Sequence, residues 1–104
     1  DDPWQFNPDR YIPVKDQKKM DDFIHFAMAA AEEAVTDANW KPEDDASRER
    51  TGVLIGSGIG GLPGIEEAVT ILVEKGPKRL SPFFIPSTLI NLASGQVSMK
   101  YGFK

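Results

Sequence analysis

The sequence predicts an α/β protein of which this chain is one part. Three observations predict it. Val53-Leu54-Ile55 is an apolar run without polar alternation, as in a strand covered on both faces. It runs straight into Gly56-Ser57-Gly58-Ile59-Gly60-Gly61 and then a helical pattern opened by Pro63. No second run of that quality follows, and one strand cannot pair its own backbone groups. The other strands must therefore come from outside the chain.

Residues 1–15 hold Pro3, Pro8 and Pro13 among scattered aromatics and read as irregular. Asp16 is read as the cap of a long helix over 17–38, with Met20, Phe23, Ile24, Ala27, Ala31, Ala34 and Val35 at helical spacing. The density of alanine suits a helix approached closely on more than one side. Asn39 stops it. Residues 41–50 are a charged, solvated connection. The strand spans 51–56. A second helix spans 63–75, with Leu62, Ile65, Val69, Leu72 and Val73 as its stripe, and Gly76-Pro77 ends it. The loop 78–86 carries Pro82-Phe83-Phe84-Ile85-Pro86, an apolar run costly in water and expected to lie against other protein. Ser87 caps a third helix over 88–101, closed by Gly102. Gly95 inside it costs about 1 kcal/mol against alanine, which predicts a crossing helix there.

Composition bounds the function. The 104 residues suffice for one small domain, and 40% hydrophobic with 27% charged residues is ordinary for a globular chain. No apolar run approaches the ~20 residues of a membrane span. The acidic start Asp1-Asp2-Pro3-Trp4 is no signal peptide, and a start without methionine fits a chain that begins partway into something longer. There is no cysteine, which removes disulfides, thiolate metal sites and a thiol nucleophile from these residues and points to a cytoplasmic setting. A net charge of −4 argues against general nucleic-acid binding.

Gly56, Gly58 and Gly61 satisfy G-x-G-x-x-G, the dinucleotide fingerprint. The acidic end of a second strand, due about 20 positions on, has no counterpart, because Glu74-Lys75-Gly76-Pro77 ends a helix. The glycines read equally as a tight turn beneath another element, or as a mount that presents Ile59 to an apolar cavity. His25, beside Phe23 and Phe26, reads as a packed side chain. The adjacent acids Asp21-Asp22, Glu32-Glu33 and Glu66-Glu67 read as solvated helix faces. Lys15, Lys18 and Lys19 form a small basic patch that serves solubility or docks an acidic partner.

Gly56-Ser57-Gly58-Ile59-Gly60-Gly61, then Ser81-Pro82-Phe83-Phe84-Ile85-Pro86-Ser87-Thr88, then Asn91-Leu92-Ala93-Ser94-Gly95 occur in that order, with Lys18-Lys19-Met20-Asp21 ahead of them. This series resembles the beta-ketoacyl-acyl-carrier-protein synthase II family from about residue 6 to the end. The resemblance implies a thiolase-like layered α-β-α-β-α sandwich, with residues 1–104 in its N-terminal half and three helices and one clear buried strand here. It implies a homodimer that condenses an enzyme-bound acyl chain with malonyl-acyl-carrier protein, with loss of carbon dioxide, in fatty-acid elongation. It implies no cofactor. The family's catalytic cysteine follows a Thr-Ala-Cys motif past the segment matching Gly102-Phe103-Lys104, and its two histidines come later, so no catalytic residue is expected in this chain. By position, Ile59 matches the residue gating the acyl pocket. Phe84 and Ile85 match pocket-lining residues that reach across the dimer interface, and Thr88 shares that wall. Lys15, Lys18 and Lys19 match carrier-protein docking positions. The resemblance displaces the dinucleotide reading. A non-catalytic chain-length-factor subunit of a polyketide synthase remains the alternative, because the deciding position lies past Lys104.

Overall fold

The computed structural model describes residues 2–104, so Asp1 of the acidic start lies outside the described residues. A 3-10 turn, Pro8–Arg10, precedes α1 (Val14–Gln17) and α2 (Asp22–Ala38). After α3 (Asp45–Glu49) come α4 (Leu62–Lys75), a second 3-10 turn (Pro77–Arg79), α5 (Phe84–Thr88) and α6 (Leu92–Tyr101). α2 packs along α6, while α4 packs on α5.

The long helix expected over 17–38 starts later, at Asp22, and a separate short helix, α1, ends at Gln17. Asp16 lies inside α1, and the cap of α2 is Asp21, whose carboxylate accepts from the Asp22 N–H at 2.8 Å. The C-terminus is where the sequence puts it. Asn39 adopts φ 52°, and its N–H and that of Trp40 close the last turn on Thr36 and Val35. A left-handed residue there favours glycine, so Asn39→Gly is expected to stabilise the whole protein by up to about 1 kcal/mol, read as a rise in melting temperature.

The core is the seam between α2 and α6. Ile24, Met28, Ala93 and Val97 are buried there with Ile12, and Phe23, Ala27, Ala31 and Tyr101 pack around them. The small residues Ala29 and Ala93 are buried, as close approach requires. Gly95 is different. A Cβ built on it meets Leu92 at 3.7 Å, an ordinary contact, and no other described atom within 4 Å. The crossing helix expected there is therefore absent among the described residues.

The clear buried strand is also corrected. Among the described residues there is no strand, and 51–57 forms no ladder. Val53 and Ile55 still pack on the core, while Leu54 is 99% exposed. That alternation is the period of extended backbone with one face covered. The physical reason is the one the sequence raises: a strand exists through its neighbours, and this segment has none among the described residues.

Two further elements differ from expectation. The charged connection contains α3, capped by Asp44, which accepts the Ser47 N–H at 2.8 Å. That bond holds the Asp44 carboxyl below the usual carboxylate range. Ser87 does not cap the third helix. It lies within α5, and Leu89 turns extended (ψ 136°) before Asn91 precedes α6. Gly76, at φ 82°, and Gly102, at φ 70°, end α4 and α6 as expected. No helix among the described residues is long and apolar enough to cross a membrane.

Candidate functional site

The glycine loop is fixed at its far end. Gly60 holds φ +88°, and the Gly61 N–H donates to the Thr88 carbonyl at 3.0 Å. Pro63 sits in the first turn of α4, where its missing N–H costs nothing. The approach is close. A Cβ on Gly60 would lie 2.5 Å from the Thr88 carbonyl oxygen, and one on Gly61 would lie 2.8 Å from Thr88 Cα. Thus the tight-turn reading of these glycines holds at Gly60 and Gly61. By contrast, a Cβ on Gly56 or Gly58 meets no described atom within 4 Å.

The dinucleotide reading meets a physical obstacle. A pyrophosphate would need the N-terminus of α4, where free N–H groups and the helix dipole favour an anion. That place is taken by Asp21, whose Oδ2 accepts the Gly64 N–H at 2.8 Å. Asp21 is thus no solvated helix acid. The local signal for its role is an aspartate one residue ahead of Asp22 and the apolar Phe23-Ile24, a helix-start pattern.

α5 forms the opposite wall. Thr88 is 5% exposed, and its hydroxyl donates to the Phe84 carbonyl at 2.8 Å. The hydroxyl is therefore spent on its own helix, and Thr88 offers neighbours its methyl, 3.1 Å from where a Gly64 Cβ would stand. Phe84 is half-buried. Ile59 is 69% and Ile85 55% exposed, with Phe83, Leu89 and Ile90 also open. The loop carrying Ile59 and the helix carrying Phe84, Ile85 and Thr88 are thus stitched together with apolar side chains facing outward.

Lys18 and Lys19, just past the end of α1, reach the same place. Lys19 pairs with Asp16 at 3.5 Å, and its Nζ lies 5.3 Å from the centre of the Phe83 ring. Lys18 lines a groove of about 190 Å³ with Gly64, Ile71, Phe83, Phe84 and Ser87. Lys15 stands exposed on α1. The structure therefore brings Lys18 and Lys19 to the foot of the apolar wall, a juxtaposition that separations of more than 60 residues hide from a linear reading.

The remaining candidates sit elsewhere. His25 is packed as expected, with Nε2 3.1 Å from the Gln17 carbonyl. Glu32 pairs with Lys100 at 3.2 Å. Glu33 accepts from the Tyr11 hydroxyl, a bond that pushes the phenol's pKa up. No group of three or more His, Cys, Asp or Glu among the described residues is placed to hold a metal ion.

Comparison with known proteins gives a consistent family. The profile of the beta-ketoacyl synthase N-terminal domain matches residues 2–104. A 3-oxoacyl-[acyl-carrier-protein] synthase 2 from Rhizobium meliloti is 59% identical over 96 residues, 92% of this chain and 23% of that protein. The mitochondrial 3-oxoacyl-[acyl-carrier-protein] synthase of Arabidopsis thaliana is 48% identical over 104 residues, 98% of this chain and 23% of its own length. Among solved structures, a type II polyketide ketosynthase in complex with its acyl-carrier protein superposes with a TM-score of 0.84 at 27% identity. It covers 96% of this chain and 28% of that one. The chain thus spans about a quarter of the length of the relatives it matches.

Proposed function

Because the chain belongs to the beta-ketoacyl synthase family, as an N-terminal domain, we propose that it forms one wall of the acyl pocket in a 3-oxoacyl-acyl-carrier-protein synthase of fatty-acid elongation. In that reaction an acyl group is carried as a thioester on a cysteine. Malonyl-acyl-carrier protein loses carbon dioxide, and the resulting enolate carbon attacks the acyl carbonyl. The thiolate leaves, and the product is a 3-oxoacyl chain two carbons longer. The resemblance puts the cysteine and the two histidines past Lys104, so this chain supplies binding surfaces and no reacting atom.

The observation that carries the reading is the convergence on one place of the Ile59 loop, the Phe84–Thr88 helix and the lysines beside Phe83. An apolar wall suits an acyl chain, and cations at its foot suit an acidic carrier. Ile59 gates the pocket, Phe84, Ile85 and Thr88 line it, and Lys15, Lys18 and Lys19 meet the carrier protein. Exposed Phe83 and Ile85 then lie against a second copy in a homodimer, and Val53-Leu54-Ile55 joins a sheet of the layered sandwich. On this reading the protein is soluble and works in the cytoplasm, without a cofactor.

The test is steady-state kinetics of the whole protein with acyl-carrier thioesters of graded length. Exchanging Ile59 for phenylalanine is expected to lower kcat/KM for long chains against short ones by at least about tenfold, the scale on which apolar pockets sort substrates. Lys18→Glu with Lys19→Glu is expected to raise KM for carrier-bound substrates about tenfold, with kcat little changed and a weaker salt dependence. Equal losses with carrier-free thioesters would sink the docking role. A whole protein that condenses nothing alone but supports a partner synthase would establish the chain-length-factor alternative.

A further inference from the structure

We infer that Asp21 is a positioning residue for the acyl pocket, holding the glycine loop and α5 in register and coupling both to the lysine segment; the inference rests on the condensing-enzyme reading above. Asp21 Oδ1 accepts the Asp22 N–H at 2.8 Å and so starts α2. Its Oδ2 accepts the Gly64 N–H at 2.8 Å in the first turn of α4. Its own N–H donates to the Ser87 carbonyl in α5 at 3.2 Å. Three helices meet at one aspartate, which directly follows Lys18-Lys19-Met20.

The chemistry suits a carboxylate. Two helix N-termini face it, each presenting backbone N–H groups and the positive end of a dipole, and each carboxylate oxygen answers one of them. Asparagine has a single acceptor oxygen and a donor amide, so it satisfies one N–H and turns a donor toward the other. The space is equally specific. A Cβ on Gly61 or on Gly64 would lie 2.7 Å from Asp21 Oδ2. The two glycines are therefore the counterpart of this carboxylate, since without side chains α4 can approach it.

Through Gly64 and Gly61 the carboxylate sets the height of the loop that carries Ile59. Through Ser87 it sets α5, and with it Phe84, Ile85 and Thr88. A carrier protein that presses on Lys18 or Lys19 acts on the segment that ends in Asp21. The residue touches no reacting atom, and its effect passes through the wall it positions.

Three measurements on the whole protein test this. In Asp21→Asn, hydrogen exchange of the backbone amides of 61–65 is expected to quicken about tenfold or more, as for a lost charge-assisted bond, while those of the α2–α6 seam hold. In a double-mutant cycle of melting temperatures, Gly64→Ala is expected to do less harm in the Asp21→Ala background, because the clashing carboxylate is gone. In kinetics, Asp21→Asn is expected to change the ratio of kcat/KM between long and short acyl chains about tenfold, with KM for the malonyl substrate unchanged. Unchanged exchange with an additive cycle overturns the inference, and so does a uniform loss at every chain length. Gly64→Ala reaches the same contact from α4, so a misfolded Asp21 variant does not shield the idea. A wild-type protein that condenses nothing removes the specificity role and the condensing-enzyme reading together. A wild type that condenses normally, with unchanged exchange and an additive cycle, removes this inference alone.

Discussion

Gly60→Ala is expected to destabilise the whole protein by at least about 3 kcal/mol and to disrupt the wall that carries Ile59. Two costs combine. The backbone at φ +88° is left-handed, which costs an L-residue with a Cβ about 1–2 kcal/mol. The new Cβ would also stand 2.5 Å from the Thr88 carbonyl oxygen and 3.0 Å from Ile90 Cγ2. Thr88 cannot give way cheaply. It is buried, its hydroxyl is bonded to Phe84, and its carbonyl already accepts the Gly61 N–H. Moving it forfeits that bond, worth about 1 kcal/mol. Gly76→Ala is the control without a steric contact, since φ is also positive there (82°, with ψ 171°) and a Cβ meets no described atom within 4 Å. It should show backbone strain alone, about 1–3 kcal/mol in a conformation essentially reserved to glycine. Denaturant unfolding of both variants reads the difference, and equal losses would mean that the Thr88 contact relaxes freely.

The contrast between those two glycines shows what a sequence can and cannot display. α4 was legible because its signals are local: Pro63 inside its first turn and Gly76 past its last. Asn39 ended α2 for the same reason. The start of α2 was not legible. Asp16 and Asp21 are both of a type that caps helices, and the structure uses the one that also bonds Gly64, 43 positions away. Ser87 misled in a similar way. Its hydroxyl turns back to the Phe84 carbonyl at 2.9 Å instead of opening a helix, and Pro86 is tolerated in α5 because the first turn needs no N–H from it. The site followed the same division. Ile59, Phe84, Ile85 and Thr88 carry a recognisable series of residues. The meeting of Lys19 with Phe83, and the use of Asp21 to hold three helices, are tertiary facts that no spacing announces.

The 104-residue chain by itself is expected to melt without cooperativity, bind a hydrophobic dye and associate, whereas the whole protein melts as a folded unit. Its radius of gyration is 15.6 Å, against about 13 Å for a compact domain of this length. The buried apolar residues centre on Ile12, Ile24, Met28, Ala93 and Val97, a small core to set against the entropy of ordering the chain. α4 buries none of its residues, and its stripe of Leu62, Val69, Leu72 and Val73 stands open, Val73 at 80%. Exposed apolar surface on that scale is costly in water and marks a surface that other protein covers. The unpaired backbone of 51–57 adds a second liability, since open extended segments recruit other chains. Near-ultraviolet circular dichroism, dye binding and sedimentation of the isolated chain would decide the matter. A sharp, monomeric melt would mean that the α2–α6 seam suffices, and the stripe of α4 would then be a surface in its own right rather than a seam that other protein covers.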